Sequence, residues 1–223
     1  MTTDTVSDTF AGNALRIRAA GGASLLGALL MTFAVLRRAT ADFTNFGPVD
    51  DGVLFDVQRV VFRVDNGVLV LSIALLFIGL LGLWTRQQWV SGWLWNAGIA
   101  ATGGGFILAL LSAVAQTAFV GSDTALGGVV GIGFALGNFL FFMGGLPLGL
   151  ALYLQAEPAI LKIAGLALMG AGPSLSMAAM FYTVNTVLGA LLFVGPIATA
   201  WGLVGYYLVA EGTGAPMPLR GWA

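Results

Sequence analysis

The sequence predicts an all-α fold, a polytopic transmembrane helix bundle with about six spanning helices and one interfacial amphipathic helix between the first two. Of the 223 residues, 58% are hydrophobic and 9% are charged, whereas soluble domains carry about 25% charged residues. Mean hydropathy is +0.94. Too few charges remain to cover a surface that faces water. Apolar runs near the length of about 20 residues that crosses a hydrocarbon layer recur along the chain.

Six such runs form a single integral membrane domain over residues 1–223. They are continuously apolar, whereas barrel strands alternate apolar and polar residues over about 10 positions, so helices are predicted. The runs are residues 19–36, 67–84, 97–120, 125–154, 160–182 and 187–210. The fourth run is too long for a perpendicular span, and a tilt or a break near Gly144, Gly145 and Pro147 would absorb the excess.

The first run imitates a secretory signal, because Arg16 and Arg18 precede an apolar stretch. Arg37 and Arg38 occupy the place where a cleavage region needs small, neutral residues. We therefore expect a retained membrane anchor.

Residues 53–65 predict an amphipathic helix between the first two spans. Asp56, Arg59 and Arg63 form a narrow charged stripe beside a valine-rich face. This pattern favours a helix that lies in the membrane interface, followed at Asn66-Gly67 by a bend into the second span. The alternative is a helix that packs on other protein segments above the membrane.

The links between later spans are short, which makes consecutive helices antiparallel neighbours. Glu157-Pro158 is typical of a helix start. Aromatic residues crowd one end of the predicted bundle, as expected for an interfacial belt. These residues are Trp84, Trp89, Trp93, Trp95, Tyr153, Tyr206 and Tyr207.

Positive charges predict a multi-pass protein of the cell membrane with both termini in the cytoplasm, by five cations to four. The cytoplasmic set is Arg16, Arg18, Arg86, Lys162 and Arg220, and the opposite set is Arg37, Arg38, Arg59 and Arg63. The excess of arginine over lysine is typical of a GC-rich prokaryotic genome.

Several chemistries are excluded by residue content. The chain has no histidine and no cysteine, which removes histidine-ligated haem, the usual zinc protease site and Ser-His-Asp catalysis. No Asp, Glu or Arg lies near the middle of a span, where a proton relay needs one. We therefore expect no enzyme activity, catalytic residue, cofactor or metal. The net charge of −1 argues against a nucleic-acid partner.

Small residues four positions apart predict close helix packing, above all in the fourth span. The residues are Gly127, Gly131, Gly133, Gly137, Gly145 and Gly149. The same surfaces suit helices of another subunit, either a second copy or a different membrane protein. Sequence alone leaves internal packing and oligomerisation both open.

A few polar residues fall inside the spans, and they are the candidates for ligand binding or pore lining: Gln116, Asn138, Ser174, Ser176 and Asn185. One interpretation is hydrogen bonding between helices. The other is a shared polar pocket, which Pro147, Pro173 and Pro196 favour because each removes a backbone donor and can break a helix.

Two hypotheses for function follow. The first is a non-enzymatic membrane protein that works by associating with other membrane helices, with lipids of the bilayer or with an apolar ligand. The second is a channel or facilitator for a small neutral solute.

Overall fold

The computed structural model describes the backbone of residues 4–40, 52–86, 90–118, 125–181 and 187–213, and the side chains of 14–37, 39, 64–86, 90–118, 129, 132–172 and 187–211. The described backbone forms six helices. They are α1 (Asp4–Thr40), α2 (Gly52–Arg86), α3 (Trp93–Ala118), α4 (Ala125–Gln155), α5 (Ala159–Phe181) and α6 (Val187–Thr213). The predicted all-α bundle is confirmed.

Five helices contain a segment long and apolar enough to cross a membrane. These segments are Ala14–Arg37, Val64–Arg86, Trp93–Ala118, Ile132–Gln155 and Val187–Glu211. In α5, the apolar segment whose side chains are described is shorter, Ala159–Gly172. The chain thus has the architecture of a multi-pass integral membrane protein.

The six helices form a closed ring in chain order. Each helix packs on its neighbours in sequence, and α1 also packs extensively on α6. The α3–α4 interface is the most extensive, while α2 and α3 make the least contact of any two ring neighbours. Gly98 of α3 lies against Leu148 of α4, whereas Ala109 lies against Gly137, which shows that these neighbours are antiparallel.

Helix α2 runs without interruption from Gly52 to Arg86. The two elements predicted on either side of Asn66-Gly67 are therefore one continuous helix. Asn66 is fully buried and its neighbour Asp65 is paired with Arg37 of α1. These tertiary contacts outweigh the helix propensity lost at a glycine, about 1 kcal/mol. The interfacial position of residues 53–65, with the stripe of Asp56, Arg59 and Arg63, stays a prediction because these side chains lie outside the described set.

The helices also continue through their prolines. Pro147 lies inside α4 and Pro196 inside α6, and the range of α5 includes Pro173. Helix α4 continues through Gly144, Gly145 and Pro147. A break at these residues therefore does not account for its length. Neighbouring helices tolerate a membrane proline when local adjustment satisfies the freed backbone groups.

The two links at the lower end, defined as the end that carries Arg86, have specific backbone features. Gly92 has a φ of 103° just before α3 begins, a left-handed conformation that favours glycine. The carbonyl of Pro158 accepts hydrogen bonds from the backbone nitrogens of Leu161 and Lys162, so α5 starts directly after the predicted proline. Ser91 N donates to Gln155 Oε1 at 3.1 Å, which ties the link before α3 to the end of α4.

Four of the predicted belt residues are exposed at the lower end: Trp84, Trp93, Tyr153 and Tyr206. Trp95 and Tyr207 are buried instead, because their positions on α3 and α6 face the core. Trp89 lies outside the described residues. The aromatic residues of this end therefore divide between the surface and the interior.

Candidate functional site

The predicted polar residues occupy separate places. Asn138 of α4 is half-buried, and its Nδ2 donates to the carbonyl oxygen of Phe134, one turn earlier on the same helix, at 2.9 Å. Gln116 is half-exposed near the end of α3. The side chains of Ser174 and Ser176 and all of Asn185 lie outside the described residues. Asn138 thus satisfies part of its amide within its own helix.

The α3–α4 register separates the two described amides in depth. Thr102 lies against Gly144 and Ala109 against Gly137, so Asn138 lies level with residue 108 of α3. Gln116 is eight residues further along α3, which corresponds to about 12 Å along the helix axis. The structure therefore does not bring Gln116 and Asn138 to one site.

Aromatic side chains cross the interior of the ring. Phe106 of α3 lies 4.8 Å from Phe141 of α4 and 5.5 Å from Trp201 of α6, measured between ring centroids. Phe142 of α4 lies 5.9 Å from Phe193 of α6. Helix α6 is not a ring neighbour of α3 or α4, so these rings meet across the middle. The interior is filled by side chains at these levels.

The α3–α4 interface depends on glycine residues, which have no side chain beyond hydrogen. A methyl group built on Gly137 would lie 2.6 Å from the backbone nitrogen of Ala109, and one on Gly98 would lie 2.5 Å from that of Leu148. Real side-chain carbons essentially never approach within 3.0 Å. The two backbones are therefore in direct contact, the arrangement that small residues permit between membrane helices.

Pairs of glycines meet at two other crossings. A methyl group on Gly149 of α4 would lie 2.5 Å from the carbonyl oxygen of Gly165 of α5. A methyl group on Gly21 of α1 would likewise lie 2.7 Å from the carbonyl oxygen of Gly205 of α6, and one on Gly205 would lie 2.8 Å from that of Gly21. These positions allow weak Cα–H···O contacts between helices.

The predicted packing glycines of α4 thus have distinct surroundings. Gly133 lies against Ser112, Gly137 against Ala109 and Gly149 against Gly165, whereas Gly145 has more room, with Leu168 O 3.5 Å from an added methyl group. The side chains around Gly127 and Gly131 lie outside the described set.

A buried hydroxyl group joins three helices. Ser24 of α1 donates through Oγ to the carbonyl oxygen of Trp201 of α6 at 2.7 Å. Its side chain also lies against Gly79 of α2. Ser24 is fully buried, so its hydrogen bond links the first and last helices at the point where the ring closes.

Two polar atoms of the interior have no hydrogen-bond partner among the described residues, Thr102 Oγ1 and Trp201 Nε1. Thr102 Oγ1 faces the backbone of Gly144, at 2.6 Å from the position of an added methyl group. Trp201 Nε1 belongs to a ring packed on Phe106. A buried donor without a partner costs about 1–3 kcal/mol.

Ion pairs join the helices near both ends of the apolar segment of α2, Val64–Arg86. Arg37 Nε of α1 lies 3.1 Å from Asp65 Oδ1, and the Asp65 side chain is 3% exposed. At the lower end, Arg86 pairs with Glu211 of α6. Asp65 and Arg86 are 21 residues apart on α2, or about 31 Å. This distance is close to the hydrocarbon thickness of about 30 Å.

Sequence reasoning missed both ion pairs and the crossing of aromatic rings. The run of Asp65 and Asn66 immediately before a span was a usable signal, because two adjacent polar residues at a membrane border need partners. The ring contacts had no comparable signal, since phenylalanines of the core and of the lipid-facing surface look alike in sequence.

Comparisons with known proteins give no relative. No protein-family model matches the chain, and neither a curated protein nor a solved structure is significantly similar to it. The site must therefore be interpreted from its own geometry.

Proposed function

We propose that the protein is a non-enzymatic integral membrane protein that acts by association, through the outer faces of its helix ring, with lipids and with the helices of other chains. The observation that carries this proposal is the contact of aromatic rings across the middle of the described bundle. Phe106, Phe141 and Trp201 meet across the ring at a level close to Phe77 of α2, which lies about midway between the two ion pairs. Rings that meet across the bundle at this depth favour action at the perimeter over conduction through the centre.

The contacts between helices support the same proposal. Backbones touch at the α3–α4, α4–α5 and α1–α6 crossings, and ion pairs join α2 to α1 and to α6. Such contacts resist the separation of helices that alternating access requires. A helix bundle held by such contacts keeps the same lipid-facing surfaces on its outside.

Native mass spectrometry from a mild detergent tests the association. The expected spectrum contains the chain together with a second copy, another membrane protein or retained lipid. A clean monomer without any retained molecule would count against the proposal.

A second candidate, a facilitator for a small neutral solute, is favoured by one observation. Thr102 Oγ1 and Trp201 Nε1 are buried polar atoms without partners, and they are on helices that meet at Phe106. Light scattering by proteoliposomes in a gradient of glycerol or urea separates the two functions. We expect the same rate as in protein-free liposomes; faster shrinkage or swelling would establish the facilitator instead.

A further inference from the structure

The close contacts between helix backbones divide the ring into two groups of three helices, α1, α2 and α6 in the first and α3, α4 and α5 in the second. Among the described glycines, each one whose added methyl group would come within 3.4 Å of another helix meets a helix of its own group. The hydrogen bond of Ser24 and both ion pairs also lie within the first group. At the α2–α3 and α5–α6 junctions, no described glycine brings two backbones so close.

The α2–α3 junction is the weaker of the two junctions between the groups. It is the least extensive contact between ring neighbours, whereas the α5–α6 contact is more extensive. Gly103 of α3 meets only the side-chain ends of Leu80 and Phe77 of α2, at 3.6 Å and 3.8 Å from an added methyl group. The Phe77 ring also meets the edge of Phe106. We call Phe77, Leu80, Gly103 and Phe106 the α2–α3 seam.

The bilayer lowers the cost of parting helices that touch through apolar side chains. Lipid chains are about as apolar as leucine, so a side chain that leaves the seam exchanges a protein contact for a lipid contact. Backbone contacts have no such replacement, because lipid chains lack the carbonyl groups that meet Cα–H groups at the tight crossings. Exposed Ile78 and Leu81 of α2 and Ile107 of α3 form an apolar outer edge beside the seam. The ring should therefore separate at the seam before it separates elsewhere.

The chain connections decide which end of the seam can widen. At the lower end, a short link between Arg86 and Trp93 joins α2 to α3. At the upper end, defined as the opposite end of the bundle, the chain enters α2 from α1 and leaves α3 toward α4. The Arg37–Asp65 ion pair holds α2 to α1 there, and so it does not hold α2 to α3. Separation of the two helices should be largest at the upper end.

We propose that the α2–α3 seam is a lateral gate, which opens from the upper end and exposes the rings of Phe106 and Trp201 to the lipid chains of the bilayer. The two groups of helices move as rigid units, and the α5–α6 junction is the hinge between them. The gate goes beyond the proposed function, which needs only the outer faces of the ring. The backbone contacts and ion pairs that hold those faces lie within the groups, so they persist when the seam opens.

Paired spin labels can measure the opening, because the chain has no cysteine and introduced cysteines are the only labelled positions. Leu71 of α2 and Leu111 of α3 are exposed. The contact of Gly103 with Leu80 and Phe77 sets an antiparallel register in which positions 71 and 111 lie level in the upper half of the seam. Double electron–electron resonance of L71C/L111C in lipid nanodiscs should show two distances, that of the closed ring and a longer one.

L111C/L136C is the matched control across the tight α3–α4 interface. It shares one label with the test pair, and Leu136 is also exposed. Because Ala109 lies against Gly137, positions 111 and 136 are at nearly the same depth. This pair should show a single narrow distance.

Two further samples locate the motion and exclude artefacts. L81C/A100C crosses the seam nearer the lower link, so its distances should differ less than those of L71C/L111C. The singly labelled variant L111C reveals any distance between two copies of the chain. An unchanged melting temperature shows that each labelled protein is folded.

Phe77→Ala removes a side chain that fills the closed seam. Added to L71C/L111C, it should raise the fraction of molecules at the longer distance, and added to L111C/L136C it should leave the distance unchanged. If the alanine variant does not fold, the comparison of the two labelled pairs without it decides.

A distribution for L71C/L111C as narrow as that for L111C/L136C would overturn the gate. Equal broadening of the two pairs would also overturn it, because the whole bundle would then be loose. So would a folded Phe77→Ala variant with an unchanged distribution. The proposed function fails by a different result, a clean monomer without retained lipid or protein in native mass spectrometry, which these distances do not affect.

Discussion

Helix α3 meets its two neighbours in opposite ways, and three consecutive glycines show the difference. Gly105 faces α4, where an added methyl group would meet the backbone of Phe141 and Gly137. Gly103 faces α2, where the same group would reach only the ends of Leu80 and Phe77, at 3.6 Å and 3.8 Å. Gly104 has no neighbour within 4 Å. One interface is made by contact between backbones and the other by large side chains.

This contrast explains why the α3–α4 interface is the most extensive in the ring and the α2–α3 interface the least extensive between neighbours. In a lipid solvent, burial of apolar surface gives little drive for helices to associate, so close packing contributes more. Backbone contact brings many atoms together at once, whereas rings and branched side chains hold two helices further apart. The two interfaces should therefore respond oppositely to a change in side-chain volume.

The largest expected effect is that of Gly105→Ala. The new methyl group would lie 2.8 Å from Gly137 O and against the backbone of Phe141, neither of which can move without shifting α4. Overpacking costs about 1–3 kcal/mol, and a gain in helix propensity offsets part of it. We expect a loss of about 2 kcal/mol in the free energy of unfolding, measured by titration with a denaturing detergent.

Gly104→Ala is the control for this variant, because it makes the same chemical change one residue earlier in open space. Its free energy of unfolding should be unchanged or slightly higher. Equal losses in the two variants would show that a general requirement for glycine in this helix, rather than backbone contact, governs the stability.

The sequence predicts the helices well because membrane spanning depends on length and apolar content. Residues 97–120 were predicted for a helix that the structure places at Trp93–Ala118. Sequence does not distinguish Gly103, Gly104 and Gly105, since their neighbours are set by the rotation of α3 in the ring. The division at Asn66-Gly67 was predicted from the change between a charged amphipathic stretch and an apolar one, whereas the structure has one continuous helix that is paired with α1 at this point.

The candidate site was less predictable than the helices. Asn138 was identified by its polarity, yet its hydrogen bond returns to its own helix at Phe134. Asp65 was overlooked, because its partner Arg37 is distant in sequence and becomes a neighbour only when α1 and α2 pack. Polar residue type indicates that a partner is needed, while the fold decides which partner is near.

Phe77→Ala should weaken the α2–α3 interface by removing volume. The Phe77 ring packs edge-on against Phe106, with centroids 6.4 Å apart. Phe→Ala costs 3–5 kcal/mol in soluble cores, but Phe77 is half-buried and lipid replaces part of its surroundings, so we expect about 1–2 kcal/mol. Unfolding titration measures the loss, and Phe77→Leu, which keeps most of the volume, should restore most of it. A loss equally large in Phe77→Leu would indicate that ring stacking matters more than volume.

Ser24→Ala tests whether the hydrogen bond of Ser24, rather than the close approach of the helices around it, contributes most to stability there. Alanine keeps the Cβ atom that lies against Gly79 but removes the donor to Trp201 O. Interhelical hydrogen bonds in a membrane protein average about 0.6 kcal/mol, and the same titration should show a loss of that size. A loss matching that of Gly105→Ala would mean that polar contacts hold these helices as strongly as backbone contact does.

The smallest effect is expected for Gly103→Ala, which adds volume where α2 and α3 are held apart by large side chains. The new methyl group would make ordinary contacts with Leu80 and Phe77, and alanine favours the helix over glycine by up to about 1 kcal/mol. The free energy of unfolding should therefore stay within about 0.5 kcal/mol of the wild-type value or rise slightly. Comparison with Gly105→Ala under the same titration is decisive, because the two variants differ only in which neighbour receives the methyl group. A loss at Gly103 as large as that at Gly105 would mean that α2 approaches α3 as closely as α4 does.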